Sequence, residues 1–120
     1  MAEITIVTPQ QTKAETFPWG SITWMISGPL GTSETMTFGK VVIKAGESNP
    51  YHTHTNCDEI LYLLSGSLEH TMGSGKEIMR AGDTISIPKG IPHNATALGD
   101  TDAVMVVAYS SAFREMKKEE

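Results

Sequence analysis

Apolar and polar positions alternate with a period of two along much of this chain. Leu68, His70 and Met72 fall on one side of such a run, with Ser67, Glu69 and Thr71 on the other, and Ile85 and Ile87 alternate with Thr84 and Ser86. Successive side chains of a strand point to opposite faces, so this pattern predicts half-buried β-strands. The run from Ala103 to Tyr109 is apolar on both sides and reads as a strand covered on both faces. Turn-forming clusters such as Gly28-Pro29-Leu30-Gly31, Ser65-Gly66, Ala81-Gly82-Asp83 and Pro88-Lys89-Gly90 recur roughly every 8–12 residues. Between them the predicted strands lie near 3–8, 20–27, 35–44, 50–54, 58–64, 67–72, 76–80, 83–87, 93–98 and 102–109. Only the short polar tail, 112–120, is compatible with a helix. There is no Pro/Ser-rich linker and no repeat, so an all-β sandwich or barrel forming one domain over 1–120 is expected.

Composition narrows the partners. Nine Lys and Arg against fourteen Asp and Glu give a net charge of −5. A net-acidic surface argues against nonspecific binding to nucleic acid or anionic lipid, and Lys117-Lys118 is followed at once by Glu119-Glu120. Cys57 is the single cysteine, so no intrachain disulfide forms. The start, Met1-Ala2-Glu3-Ile4-Thr5, lacks the basic and apolar regions of a secretory leader. No apolar run approaches the roughly 20 residues that span a bilayer. A cytoplasmic protein with no membrane partner is the expectation.

The chemistry is concentrated between Gly46 and Gly66. His52 and His54 lie two apart, so on a strand both imidazoles face one interior. Thr55-Asn56-Cys57-Asp58 is turn-like, and Glu59 then opens the apolar strand Ile60-Leu61-Tyr62-Leu63-Leu64. A carboxylate at the inner end of such a strand is costly unless paired or metal-bound. A second segment ends a strand in the tight turn Pro88-Lys89-Gly90 and delivers His93 to the start of the next. Three imidazoles and one carboxylate make a borderline nitrogen/oxygen site suited to one divalent Mn, Fe, Co, Ni, Cu or Zn, with positions left open for water or substrate.

Gly46-x5-His52-x-His54-x4-Glu59-x6-Gly66 resembles the first sequence motif of the cupins without a mismatch. Gly82-x5-Pro88-x-Gly90-x2-His93 resembles the second, within core motifs 46–66 and 82–97. The family usually has Asn four residues after that histidine, where this chain has Ala97; that Asn is not a metal ligand. The resemblance implies a double-stranded β-helix (jelly-roll) barrel with a short C-terminal tail, and metal ligation by His52, His54, Glu59 and His93. The block from Gly46 to Ser111 is also similar to small cupins that process unsaturated uronate sugars. Those carry an Asp two residues before an aromatic in the last strand, where Val107 precedes Tyr109 here, and an Arg four past it, where Phe113 stands and Arg114 is one later. With Val107 and Phe113 at those positions their proton-handling group is absent, and they often use Gln where this chain has Glu59.

The remaining residues read more plainly. His70, in step with Leu68 and Met72, points inward and reads as a hydrogen-bonded core histidine. Cys57 reads as a free thiol, and Tyr62 as facing away from the site. Leu61 and Leu63 share the parity of Glu59 and are the expected substrate-pocket residues. Trp19, Trp24, Met25 and Met36 read as core or dimer contacts. The expected function is a metalloenzyme in which the metal acts as Lewis acid on a small oxo, enol or hydroxy acid or a sugar-derived substrate, by isomerase, lyase or cyclase chemistry. Glu59 is then a possible base as well as a ligand. Oxygen-dependent dioxygenation is the second expectation and a non-catalytic metabolite-binding domain the third. Single-domain cupins commonly pair, and strands 3–8 and 102–109 offer edges to cover, so a homodimer is expected.

Overall fold

Eleven strands and no α-helix make up the computed structural model, which describes residues 4–119. In chain order the strands are β1 (Lys13–Phe17), β2 (Gly20–Ile26), β3 (Thr37–Ile43), β4 (His52–Thr53), β5 (Glu59–Ser65), β6 (Ser67–Met72), β7 (Gly75–Arg80), β8 (Thr84–Ile87), β9 (His93–Ala97), β10 (Ala103–Tyr109) and β11 (Lys117–Lys118). They form two antiparallel sheets, β1-β2-β3-β10-β5-β8 and β11-β4-β9-β6-β7, which enclose one core as a jelly-roll barrel.

The period-two pattern is what places the core. Along β5, Glu59, Leu61 and Leu63 are buried while Ile60 and Tyr62 are exposed. Along β10, Ala103, Met105, Val107 and Tyr109 point in. Ile43 from β3 and Leu68 from β6 join them, and each such aliphatic side chain contributes roughly 1.5–3 kcal/mol by leaving water. Gly66, between β5 and β6, has φ +84°, and a Cβ there would meet the Asp102 carbonyl oxygen at 2.6 Å. Only glycine permits that left-handed turn with the β10 approach so close against it.

The strands predicted from 20–27 through 102–109 all form within two residues of their expected limits. Three expectations need correction. Residues 4–8 of the predicted strand 3–8 form no strand, and residue 3 lies outside the described residues. The first strand is instead β1, whose Lys-Ala-Glu-Thr-Phe sequence has no apolar alternation; it forms by full pairing with β2, from Lys13↔Trp24 to Phe17↔Gly20. Second, the tail makes no helix over 112–119; it is extended and ends in β11, paired with β4, and residue 120 lies outside the described residues. Asn56 Nδ2 donates to the Phe113 carbonyl, the Glu115 amide donates to Asn56 Oδ1, and the Glu119 amide donates to the Tyr51 carbonyl. These tertiary bonds outweigh the weak helical preference of a short polar segment. Third, β10 is no edge: it lies between β3 and β5, with its outward side chains half-buried rather than covered. Both edges that motivated the expected homodimer are therefore absent.

Candidate metal centre

Short, turn-bounded pieces of chain position the four candidate ligands. His52 in β4 pairs directly with His93 at the start of β9. His54 follows the end of β4, and its carbonyl accepts the amide of Gly90 at 2.9 Å. Gly90 sits at φ +84°, so the Pro88-Lys89-Gly90 turn both delivers His93 and braces His54. Glu59 opens β5 on the opposite sheet. All four side chains are buried, and one donor atom from each lies within 4.8 Å of every other. His52 Nε2 and His54 Nε2 are 3.2 Å apart, and Glu59 Oε1 is 3.1 Å from both His54 Nε2 and His93 Nε2.

The outer nitrogen of each ring fixes its tautomer. His52 Nδ1 donates to the Pro50 carbonyl at 2.6 Å, His54 Nδ1 to Glu115 at 3.0 Å and His93 Nδ1 to Ile91 at 2.9 Å. A carbonyl only accepts, so each Nδ1 carries a proton, and whenever a ring is neutral its Nε2 lone pair turns inward. Such lone pairs facing one another and a carboxylate oxygen in a buried space repel unless a proton or a metal ion sits among them. Metal–nitrogen bonds of about 2.1 Å put neighbouring donors about 3.0 Å apart at a right angle and about 3.4 Å apart at a tetrahedral angle. The three separations of 3.1–3.2 Å fall in that interval and the whole set lies within 4.8 Å, so the residues fit a metal.

The electrostatics say the same. Burial, then the neighbouring His93 charge, lowers His52 to about 4. Burial also pulls His93 down, but the hydrogen bond and charge of Glu59 outweigh it and hold His93 above its ordinary value. Burial alone would raise Glu59; the hydrogen bonds and charges of His54 and His93 prevail and hold its carboxyl below the usual range. Glu59 is therefore an anion that draws a positive charge to the cluster.

A cavity of about 70 Å³ adjoins the cluster. Its walls are mostly apolar, with Trp19, Ile22, Val41, Leu61, Met105 and Val107 among them. Asn49, Asn94, His70 and Arg114 add polar groups. Arg114 is the single Lys or Arg among the lining residues, and its guanidinium lies 4.5 Å from the Trp24 ring centroid and 5.1 Å from that of Tyr109. A wider groove of about 460 Å³, lined by Lys13, Glu15, Trp24 and Phe113 among others, shares Arg114 with the cavity. Tyr109 also lines the cavity, and burial followed by the Glu59 charge raises its hydroxyl well above the ordinary value, so it is a neutral phenol.

Leu61 lines the cavity, whereas Leu63 is fully buried in the core behind it. Tyr62 is exposed on the outer face, as its parity predicts. Cys57 is a buried free thiol, raised by burial. Trp24 packs against the core, Met25 is half-buried and Met36 is exposed. Trp19 stacks on Phe17 at 4.9 Å besides lining the cavity. His70 is buried and inward as its parity predicts, but neither ring nitrogen has a hydrogen-bond partner, which corrects the expectation of a bonded core histidine. Sequence reasoning missed the tail as part of the site: Glu115 holds His54, and Arg114 and Met116 reach the cavity. The position of Arg114 near Tyr109 was its single available signal. Ala97, where the motif has Asn, holds the Gly46-Glu47 turn by its own backbone at 2.9 and 3.0 Å, while Asn49 Oδ1 braces the Ala95 amide.

The family model for the Cupin domain matches residues 39–109, well over half of the chain, which therefore belongs to that family. Among curated proteins it is similar to oxalate oxidase 1 of Hordeum vulgare, 32% identical over 96 residues that span 73% of this chain and 46% of the relative. It is 32% identical over the same length to germin-like protein 3-5 of Oryza sativa subsp. japonica, of which it covers 40%. The chain thus spans less than half the length of these relatives. Among solved structures, an oxalate oxidase superposes with a TM-score of 0.75 at 26% identity, over 87% of this chain and 58% of the other. The polyketide cyclase RemF from Streptomyces resistomycificus superposes with a TM-score of 0.80 at 20% identity, over 98% of this chain and 87% of RemF, a likeness of fold alone.

Proposed function

We propose that this cupin is an enzyme that holds one divalent transition metal through His52, His54, Glu59 and His93 and acts on a small oxo, enol or hydroxy acid. The observation that carries the reading is the set of three Nε2 lone pairs and one carboxylate oxygen turned on a common centre, each ring pinned from behind by a backbone carbonyl. Such outer hydrogen bonds orient metal-binding imidazoles and raise their basicity. When bound, the metal supplies Lewis acidity toward the oxygens of the substrate. Arg114 supports an anionic substrate, because its guanidinium is the cavity's one permanent cation and forms no ion pair with a described residue. Leu61 and Met105 exclude water from the site, with Leu63 packed behind as support. Glu59 is a ligand and the one carboxylate in the cavity able to move a proton.

Isomerase, lyase or cyclase chemistry suits an apolar cavity with few acid or base groups. Oxygen-dependent oxidation is the second reading, favoured by the 32% identity to proteins named oxalate oxidase. Metal-loaded protein offered oxalate and a panel of oxo and hydroxy acids tests both. Substrate conversion without oxygen consumption supports the first reading and conversion with oxygen uptake the second. Binding without conversion of any acid points to a metabolite-binding domain and counts against an enzyme.

The proposed cytoplasmic location rests on the single cysteine, which suits a reducing compartment. No helix of the described residues is long and apolar enough to cross a membrane. A homodimer is retained on a different surface from the expected edges. Phe38, Ile60, Tyr62 and Leu64 are exposed on the outward face of the six-stranded sheet, beside half-buried Val104 and Val106. A second copy laid on that face would cover it.

A further inference from the structure

Among the described residues, His70 is singular in having buried side-chain nitrogen or oxygen atoms without a partner. The residue is 1% exposed, and both Nδ1 and Nε2 lack any hydrogen bond. Leaving a buried donor and acceptor unpaired costs roughly 1–3 kcal/mol for each group, so an apolar side chain of similar volume would be the more stable occupant of position 70. The ring is placed where a ligand could satisfy it. It lines the same cavity as His52, Glu59 and His93. It lies nearly parallel to the His93 ring, at 23° and 5.9 Å between centroids. The residue facing it on β9 is Ala95, whose methyl group leaves the space beside the imidazole open. Leu61, Met105 and Val107, which line the same cavity, offer no hydrogen-bonding side-chain group beyond the weakly accepting sulfur of Met105.

We propose that His70 is a ligand-binding residue, the hydrogen-bonding contact for an oxygen of a small hydroxy or carboxylic acid held against the four-residue metal cluster. The inference rests on the metal-dependent reading above and narrows its substrate class. A neutral imidazole offers one N–H and one lone pair; a hydroxyl or carboxylate oxygen can meet one of them and a hydrocarbon can meet neither. Size sets the second limit. A cavity of about 70 Å³ has room for more than one water-sized group, enough for an acid of two or three carbons.

The test uses the zinc-loaded full chain with ¹⁵N-labelled histidine, and oxalate and glycolate as probes. Zinc content is measured first. His70 ring signals, assigned by their loss in His70→Gln, are expected to move on saturation with either acid. In calorimetry His70→Leu should bind both acids at least about tenfold more weakly with zinc content unchanged, and His70→Gln, which restores a donor and an acceptor, should recover much of the loss. Should His70→Leu not fold, the wild-type signals and His70→Gln carry the test. Should zinc not load, the calorimetry is run with whichever of Mn, Fe, Co, Ni or Cu does; failure to take up any of the six sinks the metal reading and this inference with it. Full zinc with unmoved His70 signals, with equal affinity in wild type and variants, or with no binding of either acid overturns this inference alone and leaves a structural histidine.

Discussion

The two sheets of this barrel do different work. The six-stranded sheet carries four strands of seven residues, three of which (β3, β5 and β10) show regular in-and-out burial, and gives the cluster only Glu59. The five-stranded sheet includes two strands of two residues, β4 and β11, yet it carries His52, His70 and His93, with His54 at the end of β4. One side is a scaffold held by apolar contact; the other is a site held by hydrogen bonds from ring nitrogens to backbone carbonyls. Damage to the first should therefore cost stability with little change in what the site binds, and damage to the second should cost binding.

The largest effect is expected at the histidines. His52→Ala or His93→Ala removes a donor from the buried set, so metal affinity should fall by more than about a hundredfold and the metal-dependent rise in melting temperature should vanish, as a chelator would also achieve. Metal analysis and a thermal melt check it. Next is acid sensitivity of the metal-free protein. His52 and His70 are both lowered to about 4 by burial first and the His93 charge second. An unfolded chain takes up those protons near pH 6.5, before the folded state does, so the folded state loses stability as pH falls from about 6.5 toward 4. Denaturant melts across that window should show a fall of a few kcal/mol, smaller in His70→Gln. On the scaffold side, Leu63→Ala should cost about 2–5 kcal/mol while the protein still takes up its metal. Equal metal loss in this variant and His93→Ala would break the division between the sheets.

The same division governs what the sequence reveals. Where burial alternates, as along β5 and β10, residue parity places Glu59, Leu61 and Tyr62 on their correct sides. The candidate ligands are legible for another reason: the spacing of Gly46, His52, His54, Glu59 and Gly66, with that of Gly82, Pro88, Gly90 and His93, marks them although β4 is only two residues long. What is not legible depends on distant contacts. Lys13–Phe17 has no apolar rhythm and becomes a strand because β2 lies beside it. The tail has a composition open to a helix but is drawn across the ligand strand by Asn56, Tyr51 and Thr53. Its role behind His54 passes through the carbonyl of Glu115, an atom every residue has, so no side-chain pattern announces it.

Two smaller effects sharpen this view. Truncation after Phe113 removes the carbonyl that pins His54 and should weaken metal binding roughly 10–100-fold, as loss of an outer-shell partner commonly does. Glu59→Gln keeps an amide oxygen for coordination but removes the negative charge, so it should weaken affinity by about tenfold or less while leaving occupancy near full at saturating metal. Both are measured by competition with a chelator of known affinity.

The central claim is that four buried side chains from both sheets close on one metal. Its most direct measurement is the metal content and thermal shift of chelator-stripped protein given Mn, Fe, Co, Ni, Cu or Zn in turn. The account predicts about one equivalent per chain for at least one of these metals, with a rise in melting temperature equivalent to about 2.7 kcal/mol at a free concentration a hundred times the Kd. Uptake below about a tenth of an equivalent for all six, with no thermal shift, would contradict it.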